Sequence, residues 1–246
     1  MRGCHPAPPV DFLTHLPRRL VRGVLVWSAI LLTGHVLLHL VWRFRNAPKP
    51  LRDLFAFASE DSLVTWTSVA VTIALAIACV ALGVLKNERG WKLTGLFFAY
   101  LSLDDEAMLH ERLSWLSGVE DGVSFSWTFV VLPVMALFGL AVFVHIWRAS
   151  TTSRSARRRT VAAYGMWAGA LGLEGVERAL VHSGERWRGF PVHLYQQLAE
   201  EWLEMVAPCV LLAAVLTLIG DVARAQIAER DTFERPPDER LRDERP

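Results

Sequence analysis

The chain has 246 residues, 52% of them hydrophobic, with 26 Lys and Arg against 25 Asp and Glu for a net charge of +1. Its mean hydropathy of +0.29 is high for a soluble domain, and the basic residues flank apolar blocks without forming a separate patch, which argues against a nucleic-acid partner. The three cysteines, Cys4, Cys79 and Cys209, are odd in number and widely spaced, which argues against a disulfide framework or a thiolate metal site.

A run of roughly 18 apolar residues is enough to cross a bilayer, and six blocks meet that length. Residues 1–22 read as a cytoplasmic N-terminal segment carrying Arg18, Arg19 and Arg22. The block that follows, about 23–43, is too long for a cleaved signal and has no small-residue cleavage site, so it reads as a retained signal-anchor helix. The second span is expected at about 63–85. The third, at about 93–117, contains Asp104, Asp105, Glu106 and Glu111. The fourth lies at about 125–147, and a polar basic linker, residues 148–159, separates it from the fifth at about 160–183, which contains Glu174 and Glu177. The sixth, about 194–222, contains Glu200, Glu201 and Glu204. Residues 223–246 are dense in Arg, Asp, Glu and Pro and read as a charged tail, disordered or a short solvated helix.

The expected fold is therefore all-α: a polytopic bundle of six transmembrane helices over 23–222. Lys and Arg collect on cytoplasmic segments. Counted this way, both termini are cytoplasmic, against one discordant outside loop with Arg43, Arg45, Lys49 and Arg52. The compartment expected is the cell inner (plasma) membrane. Trp42, Trp91, Trp115, Trp127 and Trp147 fall near span ends, where amphipathic rings anchor at the interface.

An ionisable residue inside a membrane span is costly and marks function by default. With this topology, and 1.5 Å of rise per residue, the acids of the third, fifth and sixth spans fall at one level, in the outer half of the bilayer. His35 and His39, four apart on the first span, share a face at the same level, and His110 and His193 belong to the band or its edge. His145 lies apart, at the cytoplasmic end of the fourth span. At 100° per residue, His193, Gln197, Glu200 and Glu204 form a polar stripe on the sixth span, with Glu201 beside it. Gly165, Gly169 and Gly172 line another face of the fifth, a small-xxx-small contact. Tyr100, Asp104 and Glu111 align on the third span while Glu106 and His110 form a second stripe, so that helix is expected to be central and enclosed.

Nine acids against Arg112 and Arg178 leave a large negative excess in this band. Two carboxylates 4 Å apart repel by about 4 kcal/mol even at an effective dielectric of 20. Protonation, bound metal, or a wet path carrying protons or cations would each relieve it. Mixed imidazole and carboxylate groups suit Zn, Fe or Mn, and acids projecting inward from several helices resemble the architecture of di-iron and di-manganese bundles. The metal set expected is Glu200, Glu204, Glu174, Glu177, Glu106, His110, Glu111, Asp104, Asp105, Glu201, His35, His39 and His193. Competing readings remain. Glu174 and Arg178 pair as an internal i,i+4 ion pair, Glu111 and Arg112 snorkel to the interface, and His35 and His39 serve as core histidines.

The strings Ser102-Leu103-Asp104-Asp105-Glu106-Ala107-Met108-Leu109-His110-Glu111 and Glu200-Glu201-Trp202-Leu203-Glu204-Met205 resemble motifs of bacterial multi-span membrane proteins with no assigned activity. The resemblance covers two helices and implies no chemistry. The glutamate-rich last helix is unlike the histidine-rich one of the ceramidase and adiponectin-receptor hydrolases, and the histidine boxes of membrane desaturases are missing. The functional expectation is a metal site acting on a lipid-like or other small hydrophobic substrate, in contact with membrane lipid. Its rivals are a proton- or cation-coupled transporter or channel subunit using the acids as a relay, and a structural or assembly protein.

Overall fold

The computed structural model describes residues 10–45, 48–57, 62–107, 109, 132–183, 186–187 and 190–234, with side chains left aside at 10–14, 39–40, 42–45, 132, 175, 177–183, 186–187, 190–194 and 231–234. Within them the chain is helical. Helix α1 runs Val10–Arg45, α2 Lys49–Leu54, α3 Leu63–Leu85, α4 Arg89–Ala107, α5 Leu132–Ala149, α6 Arg154–Ser183 and α7 Val192–Glu234. A two-residue antiparallel ladder, Arg186–Trp187 with Phe190–Pro191, lies between α6 and α7.

Local chemistry sets several of these ends. Ser62 caps α3, its hydroxyl accepting from the Thr65 N–H at 3.2 Å. The turn from α3 into α4 passes through Asn87 at a φ of 54°, a left-handed conformation that Asn tolerates. Three helices depart from the expected limits, α6 among them, which begins at Arg154 inside the segment expected to be a linker. Helix α1 starts well before residue 23, and α7 continues through Glu234 into the segment expected to be a disordered or only briefly helical tail.

Three helices among the described residues are long and apolar enough to cross a membrane: His15–Leu38 within α1, Leu63–Leu85, and Tyr195–Arg230 within α7. They differ in burial. In the most apolar stretch of each, 11% of α1 is buried, 39% of α3 and 72% of α7. Helix α7 is therefore the axis of the bundle, and the expectation that the third span would hold that place is corrected. Every residue from Met205 to Val215 is buried, and α6, α3 and α1 all pack on α7. Ala207, Ala213 and Ala214 are fully or almost fully enclosed, small side chains that let neighbouring backbones approach.

Helix α4 packs chiefly on α3. The contact is close at Gly95, where an added Cβ would lie 2.6 Å from Val80 Cγ2 and 2.7 Å from the Ala76 carbonyl oxygen. Ser102 Oγ donates to the Val69 carbonyl across the same interface at 3.0 Å. Trp27 Nε1 donates to Thr67 Oγ1 at 2.9 Å and ties α1 to α3. Arg159, at the start of α6, donates to the Ala213 carbonyl at 3.1 Å and to Thr217 Oγ1 at 2.6 Å, fixing α6 on α7. Among the described residues, helix α5 packs sparingly, chiefly on α6 and α4. Large apolar side chains stand exposed along α1, α3, α4 and α5, among them Val26, Ile77, Leu96 and Leu137. A continuous apolar exterior of this kind needs an apolar surrounding.

Candidate functional site

Three helices bring acids together. Glu204 of α7 lies within electrostatic reach of Glu200 on its own helix, Asp105 on α4 and Glu174 on α6. Glu200 and Glu204 are one turn apart, which puts both on one face. Gln196, one turn before Glu200, is 7% exposed. Its Nε2 donates to Glu200 Oε2 at 2.7 Å and to the Leu173 carbonyl of α6 at 2.8 Å. Its Oε1 is buried without a hydrogen-bond partner among the described residues. Pro208, inside α7, has no N–H to offer the Glu204 carbonyl four residues back, so the helix ladder is interrupted at the acidic turn. In a membrane helix such a freed carbonyl is met by a neighbouring group.

The other expected site residues are distributed around this centre. Asp104 acts on Tyr100, one turn earlier on α4, while its neighbour Asp105 acts on Glu204; adjacent residues on a helix point about 100° apart. Glu106 is exposed and Glu201 half-buried. His35 is placed elsewhere: its Nδ1 is 3.1 Å from the Phe55 carbonyl and its ring meets Phe57 edge-on at 5.5 Å, so it secures the segment after α2 against α1. His110 and Glu111 lie outside the described residues, as do the side chains of His39, Glu177 and His193. Among the described residues, no group of three or more His, Cys, Asp or Glu side chains is placed to hold a metal ion.

Beside Glu204 lies a cavity of about 470 Å³, bounded by α4, α5, α6 and α7. Glu204 is exposed on α7 and borders this space. The wall is a connected aromatic set. Phe98 stacks on Trp167 at 6.2 Å, Trp167 meets Tyr164 edge-on at 5.3 Å, Tyr164 meets Phe143 at 4.8 Å, and Phe97 adjoins Phe98 at 5.5 Å. The Tyr164 hydroxyl is buried without a hydrogen-bond partner among the described residues. A second cavity, about 720 Å³, lies between α4 and α5 and is bordered by Tyr100 and His145.

Sequence reasoning missed Gln196 and the cavity wall. It placed Gln197 on the stripe, one residue away, because a 100° wheel ranks neighbours by angle and does not see which face meets α6. The aromatic residues are read as ordinary core from spacing alone. Their signal is that Phe97, Phe98, Phe143, Tyr164 and Trp167 come from three helices with one acid among them.

A family model described as domain of unknown function (DUF8692) matches residues 20–219. A search of the curated proteins and of the solved structures finds no match. The matched region takes in most of α1, all of α2 to α6, the site, and α7 as far as residue 219, and the chain belongs to the DUF8692 family.

Proposed function

We propose that the chain is an inner-membrane protein that crosses the bilayer six times with both termini in the cytoplasm, and that its acids form a cation-binding centre in the outer half of the membrane. The spans are α1, α3, α4 with the residues to about 117, the segment from about 125 through α5, α6, and α7. The Lys and Arg distribution supports the orientation. One observation carries the cation reading: Asp105, Glu174 and Glu200, from three helices, all act on Glu204. Four carboxylates gathered from three helices in a medium of low dielectric favour cation binding at this point.

The occupant we favour is a divalent or redox metal, Zn, Fe or Mn, working on a lipid-like substrate by hydrolysis or redox chemistry. Glu200, Glu204, Glu174 and Asp105 would supply carboxylate oxygens. Gln196 Oε1 offers a neutral one, and ligands from Glu177, His110, Glu111 or His193 would complete the shell. A second reading has its own support: the described residues hold no ready metal trio, which suits a proton or cation relay through the same acids. Elemental analysis of the purified protein against Glu200→Gln/Glu204→Gln decides between them. About one or two metal ions per chain, lost in the folded variant, is the expected result. Wild-type protein that stays metal-free after exposure to each ion overturns the metal reading and leaves the relay, to be tested by proton or cation flux in liposomes.

A further inference from the structure

The aromatic cavity beside Glu204 differs in chemistry from the acidic cluster. Its lining is almost wholly apolar: Phe97, Phe98, Phe143, Tyr164 and Trp167, with Leu140 and Leu171 between them. Among the described residues that line it, Glu204 is the one charged side chain. Aromatic faces carry negative potential and attract cations, more strongly where water is excluded. A carboxylate set into such a wall adds a full charge to the same end. At about 470 Å³ the space is of ligand size.

We propose that this cavity binds a lipophilic organic cation, an amine or quaternary ammonium on a hydrocarbon chain, with its charged head at Glu204 against the aromatic wall. The inference rests on the reading of the acids as a cation centre, because it requires negative charge at Glu204. The hydrocarbon tail lies along Leu140, Leu171 and Met135. Helix α5, which has few contacts with the rest of the bundle, forms the side by which a molecule dissolved in the bilayer enters. A neutral lipid chain has no use for the carboxylate, and an anionic amphiphile would be repelled by Glu204 and the three acids that act on it.

The test is equilibrium binding of radiolabelled dodecyltrimethylammonium to the full chain in phosphatidylcholine nanodiscs, with dodecanol and dodecanoate as neutral and anionic probes and empty nanodiscs as background. Saturable binding of the cation at about one per chain is expected, with dodecanol roughly tenfold weaker and dodecanoate weaker still. Glu204→Gln is expected to bring the cation down to the level of the alcohol. Gly139→Phe is a second, independent variant. Gly139 borders the cavity, and an added Cβ there meets no described atom within 4 Å, so a bulky side chain can be placed at the cavity wall. It is expected to abolish binding of all three probes while the helical spectrum is unchanged. Equal binding of the three probes, or a cation preference that survives Glu204→Gln, overturns the proposal. Repeating the measurement on chelator-treated protein separates it from the metal reading. A cation preference in a protein that never holds metal retires the metal alone, and metal lost on Glu200→Gln/Glu204→Gln in a protein without cation preference retires the organic ligand alone.

Discussion

Replacing Gly95 by Ala should open the α3–α4 interface. The new methyl carbon would sit 2.6 Å from Val80 Cγ2 and 2.7 Å from the Ala76 carbonyl oxygen, with Val80 N at 3.2 Å. Comfortable carbon contacts lie at roughly 3.5–4.0 Å, so the deficit is about 1 Å. Val80 could rotate, but the Ala76 oxygen is backbone and moves only with α3. The helices must separate or shift, which loosens the nearby Ser102 to Val69 hydrogen bond as well. Overpacking of this kind costs about 1–3 kcal/mol. Ala gains about 1 kcal/mol over Gly in a helix interior, leaving a net loss of about 0–2 kcal/mol, and about 1–3 kcal/mol relative to a Gly→Ala change that meets no clash. The assay is loss of helical ellipticity against SDS mole fraction in mixed micelles. Gly172→Ala is the control, since a Cβ there meets nothing within 4 Å, and it should be neutral or stabilising by up to about 1 kcal/mol. If Gly95→Ala is as stable as Gly172→Ala, the close contact and the reasoning built on it are wrong.

Two further substitutions test the frame around the acids. Gln196→Leu removes both Nε2 hydrogen bonds, one of them to a carboxylate, and should cost about 1–3 kcal/mol in the same titration; an unchanged midpoint would mean that Gln196 does not hold α7 to α6. Arg159→Met breaks the contacts to the Ala213 carbonyl and Thr217 Oγ1 and should cost a similar amount, about 1–3 kcal/mol. Cysteine accessibility at the N-terminal end of α6 reads it independently, and no rise in labelling there would contradict the role.

Much of the helical content was legible in the chain. The apolar block expected at 63–85 coincides with α3, Leu63–Leu85, because its hydropathy is uniform and Ser62 marks the start. Helical angles also put Glu200 and Glu204 on one face, since a period of 3.6 residues depends on the backbone alone. The order of the helices was not legible. Lipid is as apolar as leucine, so hydropathy cannot tell a face that meets lipid from one that meets protein, and acids on two sides of α4 looked like enclosure. Burial instead follows the small and apolar run Met205–Val215 of α7, which is enclosed on every side. The glycines taught the same lesson. Gly165 and Gly172 carry the pattern, yet an added Cβ at either meets nothing within 4 Å. Close approach occurs at Gly95, which has no partner glycine four residues away.

The central claim is that acids from separate helices converge on Glu204. Paired cysteines test it most directly, in a background with Cys4, Cys79 and Cys209 replaced by alanine. Asp105→Cys/Glu204→Cys and Glu174→Cys/Glu204→Cys should each be bridged by a short bifunctional thiol reagent in native membranes, joining a protease site engineered between the two helices. An Asp105→Cys/Leu25→Cys pair, with Leu25 exposed on α1, should not. Bridging of both acid pairs is the predicted result. If neither is bridged while Val69→Cys/Ser102→Cys at the α3–α4 contact is, the acids do not share a site and the cation centre fails with them.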